Sequence, residues 1–231
     1  MTSPRLATAL PLLLSLNAGY VDTAGFLALQ GLFTAHVTGN FVTLGASLVF
    51  GISGAVAKLL ALPVFCVVVI ATRLLSTPLT RRNLPALKIL LALKVTLLVL
   101  GAALAIHFGP FANGDSWQAV LTGMVLVAAM SIQNAAHRIH LASAPPSTLM
   151  TGTTTQIMID LADMMPRPRA EAPERRSRLL RMSVNLVIFA FGCASAALIY
   201  AHFGVKCFLL PPVVALVALF LRATVKEVAT V

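Results

Sequence analysis

Six apolar stretches, each near the length that crosses a bilayer, limit this chain more than any motif does. They run roughly over residues 7–29, 54–75, 84–107, 117–139, 182–203 and 205–221. A helix needs about 20 apolar residues, at about 1.5 Å rise each, to span the hydrocarbon. Of 231 residues, 58% are hydrophobic and 10% charged, whereas about 25% are charged in a soluble domain. There is too little polar surface to wrap a water-soluble fold. The expected class is an all-α polytopic membrane protein with a single membrane domain over residues 1–231. The net charge of +10 then reports topology before it reports any nucleic acid. The N-terminal run resembles a signal peptide but lacks a small-x-small cleavage site, and the rest of the chain already demands insertion.

Two further segments, 31–52 and 142–165, are ambiguous. The second holds Pro145, Pro146, a run of threonines, Gln156, Asp160 and Asp163. Basic residues arbitrate, because short cytoplasmic loops collect them. With both segments re-entrant and the N-terminus inside, fourteen fall inside: Arg5, Arg73, Arg81, Arg82, Lys88, Arg138, Arg167, Arg169, Arg175, Arg176, Arg178, Arg181, Arg222 and Lys226. Lys58 and Lys206 lie outside and Lys94 lies within a span. Eight full spans give at best ten inside and six outside. Seven spans, with 31–52 crossing and the N-terminus outside, give thirteen and three, so charge alone leaves six and seven open.

A weak internal repeat favours six. "SLNAGYVD" from Ser15 matches "SIQNAAHR" from Ser131 with a one-residue gap, pairing Asn17 with Asn134. "TGNFVTL" from Thr38 matches "TGTTTQI" from Thr151. Each half, about 1–112 and 113–231, then reads as span, broken segment, span, span. Three full spans per half place the halves in opposite orientations, a 3+3 inverted repeat of the kind found in secondary transporters.

The stretch "LNAGYVDTAGFLAL…GLFTAHVTGNFVTLG" resembles the YoaK-like family of bacterial inner-membrane proteins, a domain of unknown function. The resemblance rests on Gly19 and Asp22, then His36, Thr38, Gly39 and Asn40, and is specific over about the first fifty residues. It implies a multi-pass protein of the bacterial inner membrane and no particular activity.

Irregular backbone at membrane depth is tolerated only where protein or a water-filled cavity satisfies it. Gly39 suits such a break, and Thr38 or Asn40 can cap a helix that follows. The unpaired N–H groups of a half-helix attract an anion. Thr151, Gly152 and Thr153 can do the same in the other half, so that two helix starts form one site. The competing reading is close helix packing through small residues. Asp22 is a candidate proton or cation coupling group, or an interfacial residue. Lys94 can neutralise Asp22, bind an anion, or snorkel. His36 can shuttle protons or serve structurally. Asn17 and Asn134, with Gln133, can bond unwound backbone or a substrate. Asp160 and Asp163 are expected to answer the arginines that follow. The segment 166–181, with six arginines broken by Pro and Glu, is expected to be irregular and to meet anionic lipid headgroups.

His137 and His140 have no nearby carboxylate in sequence. Cys66, Cys193 and Cys207 are far apart within apolar runs. Neither set matches metal-ligand spacing. No nucleophile–base pattern, zinc signature or nucleotide loop is present. The expected function is therefore secondary transport of a small polar or anionic solute or an ion, with no enzymatic activity and no cofactor. A channel and a non-transport membrane factor are the alternatives. Membrane lipids are the expected partners, nucleic acid is not, and homo-oligomerisation stays open.

Topology is directly testable. The six-span arrangement places the N-terminus in the cytoplasm and Gly54 outside. A reporter fused to the N-terminus that reads as periplasmic rejects the symmetric inverted arrangement.

Overall fold

The apolar runs fold as helices, and each polar interruption folds as an irregular segment followed by a short helix. The structure, a computed structural model, describes residues 4–165 and 173–224. Arg167, Arg169 and Lys226 of the charge count lie outside the described residues.

Among the described residues, eight α-helices follow in order: α1 (Pro4–Ala28), α2 (Gly39–Phe50), α3 (Ala55–Arg81), α4 (Ala86–Phe108), α5 (Trp117–His140), α6 (Met150–Met164), α7 (Pro173–Phe203) and α8 (Leu210–Thr224). The 12 residues of α2 and the 15 of α6 reach about 18 and about 22 Å, short of a hydrocarbon core of about 30 Å. Among the described residues, four helical segments are long and apolar enough to cross a membrane: α3, α4, α5, and the stretch from Glu174 to Arg222 that takes in most of α7 and α8. α1 is 25 residues long but carries Ser15, Asn17, Tyr20 and Asp22 along its length.

Two boundaries differ from the sequence expectation. The run 205–221 is not one helix. A 3-10 turn, Gly204–Leu209, precedes α8. Gly204 has φ +55°, a left-handed conformation that ends α7, and Pro211 and Pro212 sit in the first turn of α8, where their missing N–H groups cost nothing. The expectation of an irregular segment at 166–181 fails over its described part, since α7 begins at Pro173, while residues 166–172 lie outside the described residues. Proline is favoured at a helix start, and Glu174 in that first turn suits its positive end.

The packing pairs follow a pattern. α1 packs along α7 as α5 packs along α3; α4 lies on α5 as α8 lies on α1; α2 rests on α3 as α6 rests on α7. Exchanging α1–α4 with α5–α8 converts each of these pairs into its counterpart, although the contact of α3 with α4 has no equal between α7 and α8. The tie between each short helix and the long helix after it also recurs. Lys58 Nζ donates to Ser47 Oγ at 2.7 Å, joining α3 to α2. Arg178 donates to both Asp160 oxygens at 2.9 and 2.5 Å, joining α7 to α6. Those hydrogen bonds hold the Asp160 carboxyl below its ordinary range. Arg175 answers Asp163 beside it.

The burial pattern is that of a membrane protein. Leu59, Val67, Ile70 and Leu74 of α3 and Val187, Phe191 and Leu198 of α7 face outward, while Ser15, Asn17, Asp22, Lys94, Gln133 and Asn185 are buried. Polar groups inside and apolar side chains outside suit a lipid solvent. The closest crossing is between α1 and α7. A methyl group at Gly19 would stand 2.2 Å from the Phe189 carbonyl oxygen, and one at Gly192 would stand 2.3 Å from that of Leu16.

Because both contacts are with backbone, Gly192→Val is expected to separate α1 from α7 and lower the thermal midpoint in detergent sharply. The cost is about 1–3 kcal/mol or more. Gly45→Ala, where a methyl meets nothing within 4 Å, should leave the midpoint unchanged or slightly raised.

Candidate functional site: a cavity between the two helix breaks

The first break starts earlier than Gly39. α1 ends in a left-handed turn at Gln30 (φ +54°) and Gly31 (φ +83°), closed by a bond from Gly31 N–H to Phe26 O at 2.9 Å. This is the 6→1 bond of a Schellman ending. The chain then runs irregularly to α2, and its N–H groups need partners. Asp22 supplies most of them. Its Oδ1 accepts from Thr34 N and Ala35 N at 2.7 Å each, and from His36 N at 3.3 Å. Asn40 clamps the rest. Its Oδ1 accepts from Phe33 N and its Nδ2 donates to Phe33 O, both at 2.8 Å.

This corrects the capping expectation. Thr38, at the N-cap of α2, is right-handed helical and makes no side-chain cap bond. Asn40 turns back to Phe33 instead. Gly39 does not adopt a left-handed angle. It is the first residue of α2, with the Phe33 ring 3.0 Å from where a Cβ would stand. The backbone freedom a break requires is supplied at Gln30–Gly31, upstream of the Thr-Gly step.

The second break, between α5 and α6, is held by neutral amides. Gln133 Nε2 donates to Ser147 Oγ at 3.0 Å and to Leu14 O at 2.9 Å. Thr148 Oγ1 donates to Asn134 Oδ1 at 2.5 Å. Asn185 Nδ2, from α7, donates to Pro146 O at 2.9 Å, while Asn185 Oδ1 accepts from Ser15 at 2.6 Å. Thr153 is buried, and its hydroxyl donates to Leu149 O within the helix at 2.8 Å.

Lys94 does not pair with Asp22. It is fully buried, and its Nζ donates to Gln133 Oε1 at 2.5 Å, so it joins the network behind the second break. Asn17 is also buried, with no partner for either amide atom among the described residues. No group of three or more His, Cys, Asp or Glu that could hold a metal occurs among the described residues.

A cavity of about 510 Å³ lies between the breaks. Asp22, Thr23 and Phe26 of α1, Phe33 and His36 of the first break, Thr148 to Gly152 of the second, and Phe189 and Cys193 of α7 line it. It thus gathers four of the sequence candidates: Asp22, His36, Thr151 and Gly152. Thr38, Gly39, Asn40, Thr153, Asn17 and Lys94 do not line it. Asn134 lines a separate cavity of about 370 Å³ with Arg73 and Arg138. Leu149 lines both cavities.

Sequence reasoning missed Phe26, Phe33 and Phe189. Phenylalanine occurs twelve times in the chain, and nothing separates cavity-lining rings from lipid-facing ones. Asn185 was also missed, although a polar residue within "MSVNLVIFAF" is the kind of signal that marks buried polar contacts in a membrane helix.

A family described as "Protein of unknown function (DUF1275)" matches residues 10–221. The chain belongs to this family. It is similar to UPF0700 transmembrane protein YoaK of Bacillus subtilis (strain 168), with 28% identity over 205 residues, covering 86% of each chain. No solved structure matches. Family and fold together make this a multi-pass transmembrane protein, as the first fifty residues suggested.

Asn40 serves the break rather than the cavity, so Asn40→Ala is expected to cost stability. The loss of two buried hydrogen bonds to Phe33 should lower unfolding free energy by about 1–3 kcal/mol, read as a lower midpoint in detergent. Thr38→Ala, with no cap bond to lose, should leave the midpoint within about a degree.

Proposed function

We propose that this protein is a secondary transporter of the bacterial inner membrane. In this reading six spans form a 3+3 inverted repeat, and a small solute binds between the two broken segments. One observation carries it: both breaks line the same cavity, with Phe33 and His36 on one side and Thr148 to Gly152 on the other. Meeting of interrupted segments near the middle of the fold is the arrangement expected of repeat-built transporters.

Three features support the symmetry. The packing pairs exchange under the swap of halves. The short helix in each half is tied to the following long helix by a basic side chain, Lys58 or Arg178. The first helix of each half supplies groups that hold its own break, Asp22 in one and Gln133 and Asn134 in the other.

In this reading Asp22 is the coupling residue, because its carboxylate both lines the cavity and holds the first break. A change in what occupies the cavity then acts on the backbone of residues 34–36. Leu149 separates the Asp22 cavity from the one lined by Arg73 and Arg138, and stands where a gate between two access routes would be. Cys193 lines the cavity with His36 and Asp22, but no hydrogen bond joins its thiol to either among the described residues, so transport is favoured over catalysis.

The test is solute movement. Protein in liposomes loaded with a mixed metabolite extract, under imposed proton or sodium gradients, is expected to show saturable, gradient-dependent flux of one solute. Gly152→Leu places a side chain where a methyl meets nothing within 4 Å. It should abolish that flux while the thermal midpoint holds. Current without gradient coupling indicates a channel instead. Chemical conversion of a solute indicates an enzyme, and a Gly152→Leu variant with unaltered flux moves the site elsewhere.

A further inference from the structure

The sign of charge in the cavity between the breaks constrains its occupant. Asp22 is 5% exposed and lines the cavity. Among the described residues no lysine or arginine lines it with Asp22, and His36 is the one basic side chain there. Its ring lies against Phe33, with centroids 5.7 Å apart, and it forms no salt bridge with Asp22 among the described residues. The hydrogen bonds that Asp22 receives fall on Oδ1 and come from backbone N–H groups and the Thr34 hydroxyl. These are dipoles, so the site holds an acidic group with no full positive charge paired to it.

The start of α6 offers a partial positive charge, about half an elementary charge at a helix N-terminus. An anion bound there would share the cavity with the full charge of an ionised Asp22. An inorganic divalent cation is poorly served as well, because one carboxylate and a few hydroxyls fall short of the six or more oxygens such ions take. The remaining lining is aromatic. Phe26 and Phe33 pack with ring centroids 4.9 Å apart and planes tilted 42°, and Phe189 adds a third ring from α7. Aromatic faces attract an alkylammonium group and also accept its apolar body.

We infer that the cavity between the breaks binds a small monovalent organic cation, its ammonium group at the Asp22 carboxylate and its apolar body among Phe26, Phe33 and Phe189. This rests on the reading of the cavity as a solute site, and it replaces the anionic solute that two helix N-termini suggested.

Three probes of one shape test it on the full-length protein in detergent: choline, its neutral carbon analogue tert-butylethanol, and the carboxylate tert-butylacetate. Choline is expected to raise the thermal midpoint in a saturable way, and the other two are not. Asp22→Asn keeps an oxygen for the three backbone N–H groups and removes the charge; it should weaken choline binding by about tenfold or more, a loss of about 1.4 kcal/mol. Phe189→Leu leaves the hydrogen bonds of the first break alone and should weaken it by about fivefold. If Asp22→Asn fails to fold, the three-probe comparison and Phe189→Leu decide. The inference is overturned if tert-butylacetate or the neutral analogue stabilises as well as choline, if no probe binds, or if Asp22→Asn binds choline unchanged. Choline binding without flux into liposomes keeps the cation site and removes the transport reading. Flux of another solute by a protein that ignores choline does the reverse.

Discussion

One carboxylate oxygen carries the most consequential interaction in the molecule. Between α1 and α2 the backbone leaves the helix within a protein whose outer surface is apolar, and water cannot be relied on to satisfy it. An unpaired backbone N–H in an apolar environment costs several kcal/mol. Asp22 Oδ1 takes three consecutive N–H groups, from Thr34, Ala35 and His36. Asn40 takes the N–H and C=O of Phe33. Without these two side chains the irregular segment would have no reason to persist against a continuous helix. Where α2 starts, and where Phe33 and His36 face the cavity, both follow from that anchoring.

The second break solves the same problem with neutral groups, and the difference matters electrostatically. Gln133, Asn134 and Asn185 hold Ser147, Thr148 and Pro146, leaving no acid at the corresponding place. Lys94, buried against Gln133, lies behind this break rather than in the cavity. The two halves therefore share a packing scheme but not a charge pattern. A carboxylate borders the cavity on the α1 side, and cations stand behind the second break and around the cavity of Arg73 and Arg138. The two breaks thus border the cavity with different polar groups, a carboxylate on one side and hydroxyls with neutral amides behind them on the other.

Much of this arrangement is legible in the sequence because it follows from length and periodic apolarity. The bounds of α4 and α5 follow the apolar runs to within two residues, α3 continues past its run to Arg81, and the two Thr-Gly-bearing segments stand out as interrupted, although the first also reads as a possible span. The tie of Asp160 and Asp163 to following arginines is legible for a similar reason, since the groups are close along the chain. What was not legible depends on contacts remote in sequence. Asn40 reads as a cap by position, but the preceding loop offers Phe33 a better use of its amide. Gly39 reads as the flexible point, but Gln30 and Gly31 end α1 first. Lys94 and Asp22 look like complementary buried charges in a linear chain. Helix packing instead seats Lys94 on Gln133, while α1 lies along α7. The three phenylalanines of the cavity share their residue type with many lipid-facing positions and become distinguishable only once α1 and α7 are seen to cross at Gly19 and Gly192.

That crossing also determines how the parts can act on each other. α6 rests on α7, and α7 is locked to α1 through backbone contacts where any Cβ would collide. α2 rests on α3, and α3 packs on α5. The packing therefore cuts across the sequence halves: α1, α6, α7 and α8 pack together, as do α2, α3, α4 and α5, and the two groups meet where α4 lies on α8 and α1 on α5. Each break runs between the groups, the first from α1 to α2 and the second from α5 to α6. Asp22 sits on the first group and holds the backbone that leads into the second. Any displacement of α2 relative to α1 must stretch or break the hydrogen bonds on its carboxylate. Any charge brought to that carboxylate from the cavity changes the strength of those same bonds. Asp22 thus both lines the cavity and holds the backbone between α1 and α2, so a change at the cavity wall would be felt by the first break.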